Sequence, residues 1–570
     1  MARLKFAALA AAAAIAVGAC GTATTPSPAA SQPAASQPAA SQPAASETPA
    51  AATPKEGGTL VVALSGDLNR TDPSLVDDAN STYIAQQVEE TLVTLKPGTG
   101  DEVIPALATE WSVSDDSLSY TFKIREGVKF HDGTPLDAAA VKANFDRWMT
   151  IPKSYVDLGY TYYIDTVVTG KITKVEAPDA GTVVVTLNAP NSAFPVAMTV
   201  PPFAISSPKA LVDGNASAPD FKDNKYATGG PPAMVGTGPF MFKEWVPGDH
   251  VTIVKNPDYW NKAAGGPYLD QITFKPIADT TATLNAIEAG DVDVAMQMSP
   301  VDVPTVKADA NLQLIDRGSA CNVGILGMNQ THKPFDNLKI RQAVAYAIDR
   351  PALAEAFFGG EFGLVPSNWA PPGTAFVNEL ALPTYDPAKA KALIAESGVT
   401  DLSFDFWYPS DVTRAYMPDP KGEFEAILSN LEAVGFKPNP KTAPWRPDYV
   451  AAETRGKYPA WLIGWNCDWL GIDNFLYTAF FGYRGDPSGP NPEFAYKNDE
   501  MNQAMVDALA ATDEAGQKAG WDKAQELILA DMPAVPLASS KTPGALQTYV
   551  KGFVPSPTLL EFLSSVWLDK

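Results

Sequence analysis

The chain has 570 residues, 42 of them basic and 65 acidic, for a formal net charge of −23; 45% are hydrophobic. That is more apolar chain than a single core accommodates, so two or more lobes are expected. A surface this acidic repels nucleic acid and anionic lipid headgroups, which excludes both as direct partners.

Arg3 and Lys5 precede an unbroken small and apolar run from Phe6 to Ala19. The run is too short to span a bilayer and has the length of a secretory leader core. It ends in Val17-Gly18-Ala19-Cys20, which resembles a bacterial lipobox. Residues 1–19 are therefore expected to be a signal peptide cleaved before a lipidated Cys20; an ordinary leader with a chance cysteine is the plainer alternative. Cleavage removes both basic residues, leaving 40 against 65 and a net charge of −25. PAASQ then occurs three times from Pro28, followed by PAASE at Pro43. Without large apolar residues this stretch cannot offset the entropy of ordering, so residues 20–56 are expected to be a linker with a reach of roughly 100 Å. No later segment has the ~18 consecutive apolar residues of a membrane helix. The expected localisation is lipid-anchored at the cell membrane, facing the extracellular or periplasmic side.

From residue 57 the pattern is globular. Tyr120, Phe122 and Ile124 alternate with Ser119, Thr121, Lys123 and Arg125, which predicts a half-buried strand, and Val183, Val185 and Leu187 repeat it. Leu284 and Ile287 predict a helix stopped at Gly290, with strand signals at Val292 and Val294. Ile340, Val344 and Ile348 form a helical stripe. Asp386-Pro387 reads as an N-cap and first helical position, with Ala390, Leu393 and Ile394 on the apolar face and Gly398 as the stop. Phe424, Ile427, Leu428 and Leu431 form another stripe, ended by Gly435. Helices and strands mixed throughout predict an α/β body.

Catalytic and metal signatures are weak. His131, His250 and His332 lie far apart, without HExxH or CxxC spacing, so no metal site and no cofactor are expected. GTGPF at 236–240 lacks the third glycine of a dinucleotide loop. Ser206-Ser207-Pro208-Lys209 fits the SxxK of penicillin-recognising hydrolases, but Pro208 falls in the turn that would align Ser206 with Lys209, and Lys541-Thr542-Pro543 lacks the required glycine. A cell-wall hydrolase is kept only as a remote alternative, and the chain is not read as an enzyme. With Cys20 set aside, Cys321 and Cys467 remain, a natural pair in an oxidising compartment if geometry allows.

Several stretches together carry a resemblance: Pro105-Ala106-Leu107-Ala108 before Trp111, SYTFKIREGVKFHDGTPL at 119–136, GTGPFMFKEW at 236–245, NPDYW at 256–260, EAGDVDVAM at 288–296 and FDNLKIRQAVAYAIDR at 335–350. In this order they are similar to the family 5 solute-binding proteins of ABC importers, the peptide and nickel group, and most similar to its dipeptide- and oligopeptide-binding members. The resemblance implies a two-lobed periplasmic-binding-protein fold with mixed sheets and an extra inserted subdomain. Residues 57–90, 232–320 and 535–570 would form lobe I, 91–231 the insertion and 321–534 lobe II. His131 and Asp132 would be structural turn residues. The implied partners are a short peptide and the transmembrane permease subunits of an importer, with the receptor monomeric and touching the membrane through lipid alone.

GWNCDW at 464–469 carries the sharpest implication. In peptide-binding members a GW pair is followed three residues later by an aspartate that grips the peptide's α-ammonium, here Asp468, with DNFL at 473–476 following. A carboxylate among tryptophans needs a cation, and charge-assisted hydrogen bonds are about twice as strong as neutral ones. Arg414-Ala415-Tyr416-Met417-Pro418 resembles the segment whose arginine meets the ligand's terminal carboxylate, with alanine in place of a proline. Trp465, Tyr408, Trp407 and Trp369 are the implied walls, and Ser65 and Gly66 further ligand contacts. Some relatives join the first strand of lobe II to the GW segment by a disulfide, which implies Cys321–Cys467. There the cysteine directly follows the tryptophan; here it comes one residue later, which reverses its facing in an extended strand, so two buried thiols are the alternative. An oligosaccharide, a nickel chelate or an opine-like compound remain alternative ligands for the same fold.

Overall fold

The computed structural model describes residues 53–483 and 489–570. The leader, Cys20 and the PAASQ repeats lie outside the described residues. Within those residues no helix is long and apolar enough to cross a membrane.

The first lobe is built on a seven-stranded sheet with Thr59–Leu64 at its centre. That strand pairs in parallel with Gln271–Pro276 on one side and Val294–Ala295 on the other. Antiparallel strands then extend the sheet in both directions: His250–Lys255 and Phe240–Val246 past the first, Gly544–Gln547 and Leu312–Ile315 past the second. The central strand, TLVVAL, is apolar almost throughout because both faces are covered. Helix Thr280–Ala289 crosses between two parallel strands; Asp279 caps its first turn and Gly290 ends it at φ 76°, a left-handed conformation that glycine adopts without strain.

The second lobe has a six-stranded sheet in the order Gly363–Leu364, Ala534–Ser540, Asn322–Met328, Ala460–Asn466, Ser403–Pro409 and Lys437–Ala443. The last three run parallel to one another. Helices Leu338–Ala347, Pro387–Ser397 and Pro420–Val434 cover it, and each begins where a side chain caps it: Asn337, Asp386 and Asp419. The expected boundary at 535 needs correction. Strand Ala534–Ser540 pairs with Asn322–Met328, so the chain returns to the first lobe only after Ser540.

Two connections join the sheets, 316–321 and 541–543. Arg317, buried in the first, fixes both. Its Nε donates to Glu561 at 2.7 Å, and its Nη1 and Nη2 donate to the carbonyls of Thr542 and Met296 at 2.7 and 3.0 Å. A guanidinium with this many partners holds the crossing in one geometry while the sheets on either side keep separate cores.

Between the first strands of lobe one lies a four-stranded antiparallel sheet, Ala108–Val113, Ser119–Ile124, Thr182–Leu187 and Ile172–Asp179, closed by helix Ala138–Met149. It has its own core around Phe122, Phe145 and Trp148. GTGPF finds its use beside it. A Cβ at Gly236 or Gly238 would come within 2.5–2.7 Å of the backbone ending helix Ala79–Val88, so these glycines serve close packing.

Candidate ligand-binding site

In both sheets, the carboxyl ends of the parallel strands lead to the candidate residues. Ser65, Ile277 and Gln297 follow the three parallel strands of the first sheet. Arg414, Trp445 and Asp468 follow those of the second. Ligands of open α/β sheets bind outside strand carboxyl ends, where the connections diverge. A cleft opens there, with Ser65, Thr280 and Gln297 of the first lobe, Thr413, Arg414 and Pro418 of the second, Ser540 at the end of its strand, and Thr542 and Pro543 of the crossing segment lining it.

Arg414 sits in a closed turn, its N–H donating to the carbonyl of Met417 at 3.1 Å and its own carbonyl accepting from Met417 at 2.9 Å. The turn rests on the sheet through Tyr416, whose ring packs on Gly464 and whose carbonyl faces Gly324. A Cβ at Gly464 would lie 2.4 Å from the carbonyl oxygen of Val323 and 2.5 Å from the Tyr416 ring, so only glycine fits. Gly464→Ala is expected to destabilise the protein by about 1–3 kcal/mol, as overpacking does, and to loosen the Arg414 turn; urea denaturation checks it. The guanidinium stands over the Trp445 ring, 4.7 Å from its centroid, and has no carboxylate partner among the described residues. Next to it, Arg446 pairs with Asp77 of the first lobe at 2.9 Å, bridging the two sides.

Asp468 is buried, 8% exposed. Its Oδ1 accepts from the Tyr163 hydroxyl at 2.6 Å and its Oδ2 from the Asn474 amide at 3.0 Å. No cation faces it among the described residues; burial alone raises its pKa from 3.8 to about 6, against the two hydrogen bonds. Asn474, fully buried, organises the corner: its Oδ1 accepts from the Trp465 indole at 2.9 Å and from the Asp468 backbone at 3.1 Å. The inserted subdomain closes over this corner. Tyr163 supplies the hydroxyl, Tyr162 packs on Trp465 at 5.5 Å, and Trp469 is buried in the insertion's own core. Asp468 is thus set behind Tyr163 and is not one of the walls of the opening that Arg414 lines.

Cys321 and Cys467 form a disulfide, with Cα atoms 5.3 Å apart. The register explains why the one-residue shift is tolerated. Asn322 faces Asn466 across the antiparallel pair, so Cys321 faces Cys467, and the Cys467 N–H donates to the Cys321 carbonyl at 2.7 Å.

The other expected contacts divide. Ser65 lines the cleft; beside it Gly66 is packed so closely on the Asn80 amide that a Cβ would clash at 2.7 Å. Trp369 needs correction as a wall. It is 0% exposed in the core of lobe two, its indole donating to the Ala534 carbonyl at 3.0 Å. Trp407 stacks on Tyr458 at 4.3 Å and Tyr408 lies on Phe424 at 4.4 Å; neither reaches the opening at Arg414.

Ser206 and Lys209 form no dyad. The Ser206 hydroxyl donates to Glu89 at 2.6 Å, and Lys209 pairs with Asp213. Glu89 is buried there, its pKa raised to about 7 by desolvation. His131 contacts the Gly238 carbonyl through Nε2 at 3.0 Å and is driven down to about 4 by burial; Asp132 accepts from Thr134 and Ser207. Both act as turn residues. The described residues hold no cluster of metal-ligating side chains.

Two sheets that turn their strand ends toward one cleft, joined by two short crossings, define a two-lobed solute receptor. Residues 102–487 match the family described as bacterial extracellular solute-binding proteins, family 5 middle. The chain is 31% identical over 502 residues to heme-binding protein A of Haemophilus influenzae, covering 85% of this chain and 88% of that one. It is 30% identical over 501 residues to the glutathione-binding protein GsiB of Escherichia coli (strain K12), covering 87% and 91%. Among solved structures it resembles the periplasmic binding protein DppA of Helicobacter pylori in complex with the peptide STSA, at 27% identity and a TM-score of 0.78, covering 90% of this chain and 99% of that one. The chain belongs to family 5 of the extracellular solute-binding proteins. Such proteins are the receptors of ABC importers and work with their permeases; they are not enzymes.

Proposed function

We propose that this receptor captures dipeptides or other short peptides by their charged ends and delivers them to an importer's permease. The observation that carries the reading is Asp468, a desolvated carboxylate fixed by two donors with no cation opposite it among the described residues. An α-ammonium supplies the missing charge. Arg414, without a carboxylate partner among the described residues, suits the terminal carboxylate, which its planar fork grips bidentately. With Tyr163 moved aside from Asp468, fixed charges at the two ends of a zwitterion select for its length, and water around the side chains tolerates many sequences. The relative named for glutathione and the structure holding STSA support a peptide-like ligand. Export as a monomer tethered through Cys20 completes the reading.

Calorimetry with Ala-Leu, N-acetyl-Ala-Leu and Ala-Leu-amide tests it. The free dipeptide is expected to bind, the acetylated form to lose at least about 30-fold and the amide about tenfold, the sizes of a buried and a more open charge pair. Equal binding of the acetylated form would reject the role of Asp468.

A further inference from the structure

Beyond Ser65 the cleft continues into an alcove of the first lobe, lined by Asn80, Tyr83 and Arg317. Ser65 and Gln297 border both the alcove and the opening at Arg414, so the two adjoin. Tyr83 comes from helix Ala79–Val88 and is 2% exposed. Its ring packs edge-on against Phe274 at 6.1 Å, while its hydroxyl finds no hydrogen-bond partner among the described residues. Buried hydroxyls are nearly always paired, and an unpaired one facing a binding cleft calls for a partner from outside. Burial and the nearby Glu561 carboxylate push this phenol well above its usual pKa, so it remains a donor at every physiological pH.

The rest of the alcove specifies the partner. Arg317 commits three of its five N–H groups to Glu561, Thr542 and Met296, and the Asn80 Oδ1 accepts from Ser65 at 3.4 Å, leaving the Asn80 amide N–H₂. The open capacity is therefore largely of donor type, which asks for an oxygen acceptor. The Arg317 charge is already neutralised by Glu561 at 2.7 Å, and the second Glu561 oxygen, Oε2, is itself buried without a partner. An additional carboxylate would be repelled by that acid, whose charge acts on Tyr83; a neutral amide offers its oxygen to the Tyr83 hydroxyl without adding a charge.

We propose that, granted the peptide reading above, this alcove is a side-chain subsite for a carboxamide, with the Tyr83 hydroxyl as the donor that selects it. The test uses the whole mature protein and dipeptides that place Gln, Glu or Met at each position in turn, paired with Ala. Gln at one position is expected to bind about tenfold tighter than Met, which has similar size and no acceptor oxygen, and tighter than Glu. Tyr83→Phe should remove the Gln advantage, leaving Met peptides and the Tm unchanged, because the ring packing is kept and no hydrogen bond within the protein is lost. Peptides that bind without a Gln advantage overturn the subsite alone, as does a Tyr83→Phe variant that weakens all of them equally. A protein that binds none of them, or binds their N-acetyl forms as well, overturns the peptide reading and the subsite with it.

Discussion

Asp468→Asn is expected to weaken binding of a free-amine dipeptide by about 30-fold to several thousand-fold, the range for removing one partner of a buried, hydrogen-bonded charge pair. The asparagine still accepts from Tyr163 and keeps the volume, while its N–H₂ meets the Asn474 amide donor, so the loss combines the charge with one hydrogen bond. It should appear in koff, because a desolvated contact sets residence time more than encounter. Wild-type binding carries a matching pH dependence. The ligand-free carboxylate has a pKa of about 6, and only its ionised form attracts an ammonium. Affinity should be greatest near pH 7, fall about tenfold per pH unit below 6, and fall again above pH 8 as the ligand's own amine loses its proton. The same displacement acts on the ligand-free fold with the opposite sense. The unfolded group titrates near 3.8, so the folded state holds more protons between pH 4 and 6 and stability falls as pH rises through that window, by at most about 3 kcal/mol. The ligand's ammonium relieves this cost, so ligand stabilisation should grow from pH 5 to pH 7. Calorimetry and thermal melts at both values measure it; an affinity flat across the range would remove Asp468 from the site.

The local layer of this structure was legible in sequence because capping and periodicity are local. Asp386-Pro387 and Gly398 bound a helix in the chain as in the pattern, Gly290 and Gly435 end theirs in left-handed conformations, and Tyr120, Phe122 and Ile124 face a core. What stayed hidden depends on distant partners. Tyr163 meets Asp468 across 305 positions, and nothing in YTYYID signals a hydroxyl aimed at a carboxylate. Trp469, next to Asp468 in sequence, fills the core of the inserted subdomain, a placement that GWNCDW does not announce. Trp369 shows the limit from the other side: an aromatic near candidate residues has no sequence mark telling a cleft wall from a core filler, and here packing on Phe481 decided it. Strand Ala534–Ser540 was misassigned for a similar reason. Apolar on both faces, AVPLASS suits the middle of either sheet, and only pairing with Asn322–Met328 settles which.

Replacing Cys321 and Cys467 together by serine is expected to cost up to about 5 kcal/mol, the chain-entropy value for closing a loop across 146 positions. The effect should fall on one part of the molecule. Both cysteines belong to the second lobe, and that sheet has a core of its own, so the lobes need not unfold together. The transition of the second lobe should drop by roughly 10 °C, while that of the first moves little. Binding should suffer as well, for a geometric reason. Cys467 directly precedes Asp468, and its N–H is bonded to the Cys321 carbonyl, so the crosslink anchors the chain where the carboxylate leaves the sheet. Without it Asp468 keeps its two side-chain donors and loses the covalent support behind them, so affinity should fall several-fold, far less than for Asp468→Asn. Differential scanning calorimetry of oxidised, reduced and double-serine protein, with and without dipeptide, separates the two effects. If all three melt alike, the crosslink adds nothing to the stability of the lobe; if reduction abolishes binding while melting is unchanged, its role is confined to holding Asp468 in place.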